Sequence, residues 1–349
     1  MIGNNASGSR ALKYGSTIDN VEQMTFVDGQ GKKITLPDNK KIGNEILKIS
    51  KRINRERFPH VSKNSCGYRL DLVRSINDTH KAIVGAEGTL GIVLSAKISI
   101  KKIPEKRFLF ILGYESPKDA ASDCTEIIKT NPSAIEFVDK KTLENIDFRF
   151  QKNVNCLLFV EYDENLERIK EFQKANSGRI VKKISKEKEI EKWWKYRDLA
   201  LSFSLKSIKM KDRVPHIIED AAVPISKLVD LFSLIEKISK EFQTRTIMYG
   251  HAGNGNIHVR IVSDRKRIKS LQKISEIYFD RVIKMGGTIT GEHGDGIARS
   301  DFIQKQYGTK NYLVFKALKK ILDPKNILNP GKITSTRRSQ KNLENFNDY

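Results

Sequence analysis

The stretch Tyr249-Gly-His-Ala-Gly-Asn-Gly-Asn-Ile-His-Val259 places two histidines, His251 and His258, on either side of a turn built from glycine and asparagine. The whole chain has six histidines, so finding two of them this close together suggests a site. The flanking residues predict two strands, Thr246 to Tyr249 and Asn256 to Ile261. A strand pair joined by such a turn lets both imidazoles face one cleft.

Upstream of this turn, short apolar runs alternate with amphipathic stretches. The pattern predicts strands at Phe108 to Tyr114, Ala134 to Val138, Cys156 to Tyr162, Arg179 to Lys183 and Val214 to Asp220. Helices are expected between them, and a long one carries Trp193, Trp194 and Arg197. Such alternation predicts an α+β domain in which helices cover one face of a mostly antiparallel sheet.

The first hundred residues follow a different pattern. Val21 to Leu36 is expected to form a hairpin that turns at Asp28 to Gly31, and Lys41 to Arg57 is expected to be an amphipathic helix. The opening residues are rich in glycine, asparagine and serine, which expose backbone amides and suit close approach to a phosphate or a flat ring.

Composition limits the class of protein. A chain of 349 residues with 38% apolar content can form two or three domains. It has neither a membrane-span run nor a signal peptide, so we expect a cytoplasmic protein and leave peripheral contact with the inner face of the membrane open. The three cysteines indicate no disulfide framework. The net charge of +22 suits a nucleic acid, an anionic membrane surface or acidic ligands and does not decide among them. Because the charge is spread along the chain without a basic, aromatic-rich motif, no nucleic acid is expected as a partner, and a basic nucleic-acid-binding protein is kept only as a further hypothesis.

A second glycine-rich cluster, Gly286 to Gly296, contains Glu292 and His293 side by side. Together with His251 and His258, Glu292 completes a set of two histidines and one carboxylate, which suits a divalent metal with open positions for substrate. Histidines flanked by glycine can also serve only to satisfy the backbone of turns, and the residues alone leave both interpretations open.

Two further side chains are candidates for chemistry on a substrate. Because an imidazole ordinarily titrates near neutrality, His293 can act as the general base that takes a proton from a hydroxyl group. Arg197 can clamp a carboxylate with two hydrogen bonds, although most arginines on lysine-rich helices are only solvated. We expect Trp193 and Trp194 to be packing residues.

Taken together, these motifs resemble the FAD-linked oxidases of the vanillyl-alcohol-oxidase type with a PCMH-type FAD-binding domain. The branch in question holds D-lactate dehydrogenases, glycolate oxidase flavin subunits and D-2-hydroxyglutarate dehydrogenases. The resemblance extends to Ile333 and depends on six motifs: Gly3 to Arg10, Asn64 to Leu70, Glu87 to Ile92, Glu219 to Pro224, the two histidine clusters, and Asp323 to Lys332.

The resemblance implies a flavoprotein oxidoreductase, a D-lactate dehydrogenase-like enzyme that oxidises a D-2-hydroxy acid to the 2-oxo acid and passes hydride to N5 of FAD. His293 matches the base and Arg197 the carboxylate-binding arginine. His251, His258 and Glu292 match the ligands of a divalent metal, usually zinc or a similar ion. The positions that match FAD-contacting residues are Asn4, Asn5, Ala6, Ser7, Gly8, Glu87, Gly88, Thr89, Gly91, Ile92 and Asn329.

The resemblance also implies domain limits and partners. Residues 1–104 correspond to the C-terminal part of the FAD-binding domain, residues 105–333 to the FAD-linked oxidase C-terminal substrate domain, and residues 334–349 to a polar tail. We expect a second polypeptide to carry the N-terminal FAD subdomain, and an iron–sulfur protein, a quinone or a cytochrome to accept the electrons. The alternative is a non-catalytic remnant or a binding subunit of a larger flavoprotein complex.

Overall fold

The computed structural model describes residues 1–140, 144, 148, 150, 152–163, 166–200, 202, 212–213, 218–264 and 268–334. Most of the strand expected at Val214 to Asp220, and the tail after residue 334, lie outside the described residues. The chain divides into two compact units. The first unit contains Met1–Gly8, Gly15–Lys101 and the chain from Thr288 onward, and the second contains Ser9–Tyr14 and Lys102–Gly287. The linear domain limits at residues 104 and 333 stay a prediction.

The described residues form strands and helices at positions close to those expected. The strands are β1 Val21–Val27, β2 Lys33–Leu36, β3 Ile92–Ile98, β4 Arg107–Tyr114, β5 Ala134–Asp139, β6 Cys156–Asp163, β7 Arg179–Ile184, β8 Asp212–Arg213, β9 Arg245–His251 and β10 Asn256–Asp264. The α-helices are α1 Ala11–Tyr14, α2 Thr17–Asn20, α3 Lys40–Ser50, α4 Pro117–Ile127, α5 Leu166–Ala175, α6 Glu187–Asp198, α7 Leu228–Glu241, α8 Ile268–Lys284, α9 Gly296–Arg299 and α10 Ile303–Leu322.

Short 3-10 turns connect several of these elements. They are Ile2–Asn4, Arg55–Arg57, Leu70–Leu72, Ile76–Ala82, Ile128–Thr130, Ile225–Lys227, Ala252–Asn254 and Ser300–Phe302. The helix expected over Lys41 to Arg57 ends earlier, at Ser50, and a separate turn follows at Arg55–Arg57. The amide of Asn54 is bonded to the side chain of Asn311 and not to the helix backbone.

The second unit is built on one antiparallel sheet with the strand order β7-β4-β6-β5-β9-β10-β8. The expectation of a mostly antiparallel sheet with covering helices is confirmed. The central strands β5 and β6 are buried along nearly their whole length, because both sheet faces are covered.

The expectation that helices lie on one face only is wrong. Trp193 and Trp194 of α6 pack against a buried cluster that includes Leu109 of β4. The next residue of that strand, Phe110, points to the opposite face and stacks on Phe172 of α5, with ring centroids 4.8 Å apart. Both tryptophans are therefore packing residues, as predicted.

The first unit contains a three-stranded antiparallel sheet in the order β2-β1-β3. The predicted hairpin is confirmed, since β1 and β2 are paired from Met24 with Leu36 to Val27 with Lys33. A cluster of buried rings, Phe58, Tyr68, Tyr307 and Phe315, joins the segment that follows α3 to α10. This packing explains why the chain from Thr288 onward belongs with the N-terminal part.

No described helix combines the length and the apolar character that crossing a bilayer would require.

Candidate functional site

The histidine turn lies at one end of β9 and β10, where Asn256 pairs with His251 and His258 pairs with Tyr249. Residues that pair across an antiparallel ladder, and residues two apart on a strand, share a face. This register therefore puts both imidazoles on one face of the sheet. Their ring centroids are 5.3 Å apart at 82°, and both side chains are buried.

The turn between the histidines has a steric requirement for glycine. Gly255 has φ +66°, a left-handed conformation, and a Cβ atom there would collide with the carbonyl oxygen of Val223. The backbone of Val223 is also bonded to Gly255, with N and O 3.0 Å apart. The Gly-Asn-Gly sequence thus makes the turn tight enough for the segment after Asp220 to pack on it.

A residue that the sequence interpretation missed, Glu136 on β5, organises the buried face beside His251. Strand β5 pairs with β9 at Phe137 with Gly250, which sets Glu136 opposite His251. The Glu136 side chain is wholly buried, and its Oε1 lies 2.7 Å from His251 Nδ1. A signal was present, because an acid in a strand as apolar as Ala134 to Asp139 requires a partner when it is buried.

Arg197, at the end of α6, reaches the same carboxylate. Its Nε and Nη2 lie 2.8 Å and 2.5 Å from Glu136 Oε2, and Nη2 is 3.3 Å from His251 Nδ1. The side chain is 11% exposed, so Arg197 is not one of the solvated arginines typical of lysine-rich helices. The structure thus brings Arg197 and His251 together.

The second histidine also has an oxygen beside Nδ1. His258 Nδ1 lies 3.3 Å from the backbone oxygen of Glu219 and 3.8 Å from Asp220 Oδ1. A backbone carbonyl can only accept, so the neutral imidazole donates from Nδ1 and keeps the lone pair of Nε2. In that tautomer histidine binds first-row divalent metals through Nε2. The donors within the second unit therefore fit a zinc-like ion.

Glu292 and His293 belong to the first unit. The Glu292 carboxylate is bonded to the buried ammonium of Lys63, with Nζ and Oε2 2.6 Å apart, and to the hydroxyl of Ser7 at 2.9 Å. His293 is more open, with a 39% exposed side chain whose Nε2 is 3.6 Å from Glu292 Oε1. An open imidazole suits the role of a base that meets substrate. The place of Glu292 in the metal ligand set stays a prediction.

Lys63 was also missed by the sequence interpretation, which names only the residues after it. Its side chain is fully buried. A buried ammonium is costly unless it is paired, so its contact with Glu292 is a requirement of the fold. Nothing in the local sequence Val61-Ser-Lys63 separates this lysine from the other basic residues of a chain with 64 lysines and arginines.

Three of the flavin motifs meet at Glu87 within the first unit. Its side chain accepts hydrogen bonds from the amides of Asp295 and Gly296, with distances of 2.5 Å and 2.9 Å, and its backbone oxygen accepts one from Asn329 Nδ2 at 2.7 Å. Burial and the nearby Asp295 carboxylate raise the pKa of Glu87 to about 7, and burial also raises the pKa of Asp295. Glu87 therefore holds the loop that follows His293.

The residues that match FAD-contacting positions fall into two groups. Some make contacts inside the unit. The Asn5 side chain is hydrogen-bonded to the backbone of Ile18 and of Asn64, the Thr89 hydroxyl to that of Tyr68, and the Ser7 hydroxyl to the Glu292 carboxylate. Gly91 lies against the ring of Phe26. Ala6 is partly buried. The exposed members are Asn4, Gly8, Gly88, Ile92 and Asn329. These exposed residues are the ones that fit contact with a bound cofactor, and two of them, Asn4 and Asn329, also donate to the backbone oxygens of His293 and Glu87.

Comparison with known proteins places this arrangement in a family. The family described as "FAD linked oxidases, C-terminal domain" matches residues 103–333. The chain belongs to the FAD linked oxidases. The fold agrees, because a solved alkyldihydroxyacetonephosphate synthase structure matches 94% of this chain with a TM-score of 0.55 at 17% identity, over 56% of its own length.

Curated relatives are similar at higher sequence identity than this solved structure. Glycolate oxidase subunit GlcD of Bacillus subtilis (strain 168) is 29% identical over 348 residues, which cover 95% of this chain and 67% of that protein. The mitochondrial D-lactate dehydrogenase [cytochrome] of Kluyveromyces lactis is 28% identical over 356 residues, 95% of this chain and 55% of that protein. The chain thus spans between about half and two thirds of the lengths of these relatives.

Proposed function

We propose that the chain is part of an FAD-dependent oxidoreductase that oxidises a D-2-hydroxy acid to the 2-oxo acid. The observation that carries the proposal is that Arg197 and His251 contact the same carboxylate, that of Glu136, with Arg197 Nη2 only 3.3 Å from His251 Nδ1. A 2-hydroxy acid has a carboxylate and a hydroxyl on adjacent carbons. A guanidinium next to a metal-binding imidazole provides complementary groups for both.

Each of the site residues has a distinct task in this proposal. Arg197 binds the substrate carboxylate, and His251 and His258 hold a divalent metal, with Glu292 as the third ligand. His293 takes the proton of the substrate hydroxyl. FAD, when bound, accepts the hydride from the substrate carbon. The exposed residues of the FAD-matching set, such as Asn4 and Gly88, border the cofactor.

The partners belong to the proposal as well. A second polypeptide supplies the remainder of the FAD site, and a separate acceptor takes the electrons. The name of the Kluyveromyces relative supports a cytochrome as one such acceptor, and the name of the Bacillus relative supports a subunit role. Residues 1–104 form part of the FAD-binding domain and residues 105–333 the substrate domain. We place the protein in the cytoplasm.

The test is substrate-driven bleaching of the flavin. The chain is purified together with any polypeptide that accompanies it in its native cells, loaded with FAD, and mixed without oxygen with D-lactate, glycolate and D-2-hydroxyglutarate. At least one acid is expected to bleach the visible flavin band, and L-lactate is expected not to. Arg197→Met is expected to raise the KM of the active acid about 10- to 100-fold, because a charge-assisted contact contributes about 1.5–3 kcal/mol.

Two results would reject the proposal. Flavin-loaded protein that no 2-hydroxy acid bleaches would favour the alternative of a non-catalytic binding subunit. An Arg197→Met variant with unchanged KM would remove the substrate role of that arginine. Arg245→Met is the matched control, because it removes the charge of an exposed arginine at the far end of β9 from His251.

A further inference from the structure

We infer that Glu136 is a positioning residue that sets both the tautomer of His251 and the orientation of the Arg197 guanidinium. The two groups contact different oxygens of the one carboxylate. His251 Nδ1 lies 2.7 Å from Oε1, while Arg197 Nε and Nη2 lie 2.8 Å and 2.5 Å from Oε2. Glu136 itself is wholly buried within β5, where it is shielded from solvent.

The hydrogen-bonding roles follow from the chemistry of the three groups. A guanidinium is always charged and only donates, and a carboxylate paired with it is ionised and only accepts. His251 must therefore donate from Nδ1 to Glu136. In the neutral imidazole this leaves Nε2 without a proton, ready to bind a metal. The 3.3 Å approach of Arg197 Nη2 to Nδ1 is the longer contact and does not compete.

Strand register and helix position explain why one acid can serve both groups. Glu136 lies opposite His251 across β5 and β9, and α6 covers the same sheet face with Arg197 at its last turn. The acid is thus coupled to the metal-binding imidazole and to the carboxylate-binding arginine at once. The assignments of a metal to His251 and of a substrate carboxylate to Arg197 rest on the proposed function, whereas the tautomer of His251 does not.

Replacement of Glu136 by glutamine separates its effect on the Arg197 orientation from its effect on the His251 tautomer. The glutamine carbonyl oxygen can take the place of Oε2 and accept from Arg197, but its NH2 group then faces His251 Nδ1. Two donors cannot share a hydrogen bond, so the imidazole must move its proton to Nε2. Glu136→Gln therefore keeps the size and polarity of the side chain while it switches His251 to the tautomer that cannot bind metal through Nε2.

The experiment is nitrogen NMR of the histidine rings in the full chain, without metal, in a neutral-to-alkaline buffer. The His251 signal is assigned by its loss in His251→Asn. Wild type is expected to show His251 protonated at Nδ1, and Glu136→Gln is expected to show it protonated at Nε2. Titration with Co²⁺ is expected to give a Kd about 10- to 100-fold weaker in Glu136→Gln, the usual effect of losing such an outer partner.

Glu161→Gln is the matched control. Glu161 is also wholly buried, lies on the same sheet face one strand away, and pairs with Arg10 and Trp194. Its substitution breaks a comparable ion pair but has no histidine partner. It is therefore expected to leave the His251 signal unchanged.

The outcomes separate this inference from the proposed function. A wild-type His251 protonated at Nε2 would overturn the inference even if no variant folded. A Glu136→Gln spectrum that matches wild type, in a folded protein, would overturn it as well. If the tautomer switches but no 2-hydroxy acid bleaches the flavin, the inference stands and the proposed function fails.

Discussion

Replacement of Lys63 by methionine should destabilise the first unit strongly, because it removes one partner of a buried ion pair. The Lys63 side chain is 0% exposed and that of Glu292 is 6% exposed, with Nζ and Oε2 2.6 Å apart. Methionine preserves most of the volume of the lysine stem, so the main change is the lost charge. Breaking a buried pair in this way costs about 3–5 kcal/mol, since the remaining carboxylate is left buried without its counter-charge.

Urea unfolding measures this effect, and two further variants interpret it. Lys81→Met is the control. Lys81 pairs with Asp78 at 3.0 Å, but this pair is partly exposed, with 28% of the Lys81 side chain and 25% of the Asp78 side chain accessible to solvent. Lys81→Met is expected to cost about 0–1 kcal/mol. In the double variant Lys63→Met/Glu292→Gln no buried charge is left unpaired, so most of the lost stability should return.

The reasoning would be refuted by either of two results. The first is a cost of Lys63→Met no greater than that of Lys81→Met, which would mean that the buried pair adds nothing. The second is that the costs of Lys63→Met and Glu292→Gln add in the double variant, which would mean that the two side chains are not coupled.

The remaining predictions concern a turn and a carboxylate. Gly255→Ala should cost well over about 1 kcal/mol and weaken Co²⁺ binding, because its Cβ collides with Val223. Gly31 also has a left-handed backbone, with φ +78°, but a Cβ atom there would meet open space, so Gly31→Ala should cost only the backbone strain of about 1 kcal/mol. Equal losses of stability for the two variants in urea unfolding would contradict this. Because the pKa of Glu87 rises from 4.5 to about 7 on folding, its protonated form favours the folded state. Stability should fall as pH increases from about 4.5 to about 7, and Glu87→Gln should flatten that slope; an unchanged slope would count against it.

The part of the site that could be predicted from sequence is the part whose geometry is local. His251 and His258 are brought together by a hairpin whose turn residues are adjacent in the chain, so glycine and asparagine are enough to reveal it. The strands around the turn and the hairpin at β1 and β2 are confirmed for the same reason. Arg197 is a weak candidate from its residue type and is strengthened only by the family resemblance, because its partner Glu136 is 61 residues away in sequence.

Local geometry does not reveal the roles of Glu136 and Lys63, although the apolar strand around Glu136 indicates that this acid needs a partner. Each is a charged residue whose role depends on a partner more than a hundred residues distant, 115 for Glu136 with His251 and 229 for Lys63 with Glu292. Burial is the property that distinguishes them, and burial is set by tertiary packing. The error about the covering helices has a similar origin, since the sheet is apolar on both faces and periodicity does not say which helix covers which face.

The second unit begins with six residues, Ser9–Tyr14, that are separated from the rest of it by nearly ninety residues of the first unit. Arg10 in this segment holds the wholly buried Glu161, with Nε and Oε1 2.5 Å apart, and Lys13 pairs with Asp163. During synthesis Arg10 leaves the ribosome long before its partner, 151 residues later, exists. The second unit is therefore expected to complete its fold late, by closing a long loop. A fragment that starts at Lys102 would contain every strand of the large sheet but lack Arg10, the nearest cation to Glu161, and leave that buried acid with only the more distant guanidinium of Arg107, 3.7 Å away.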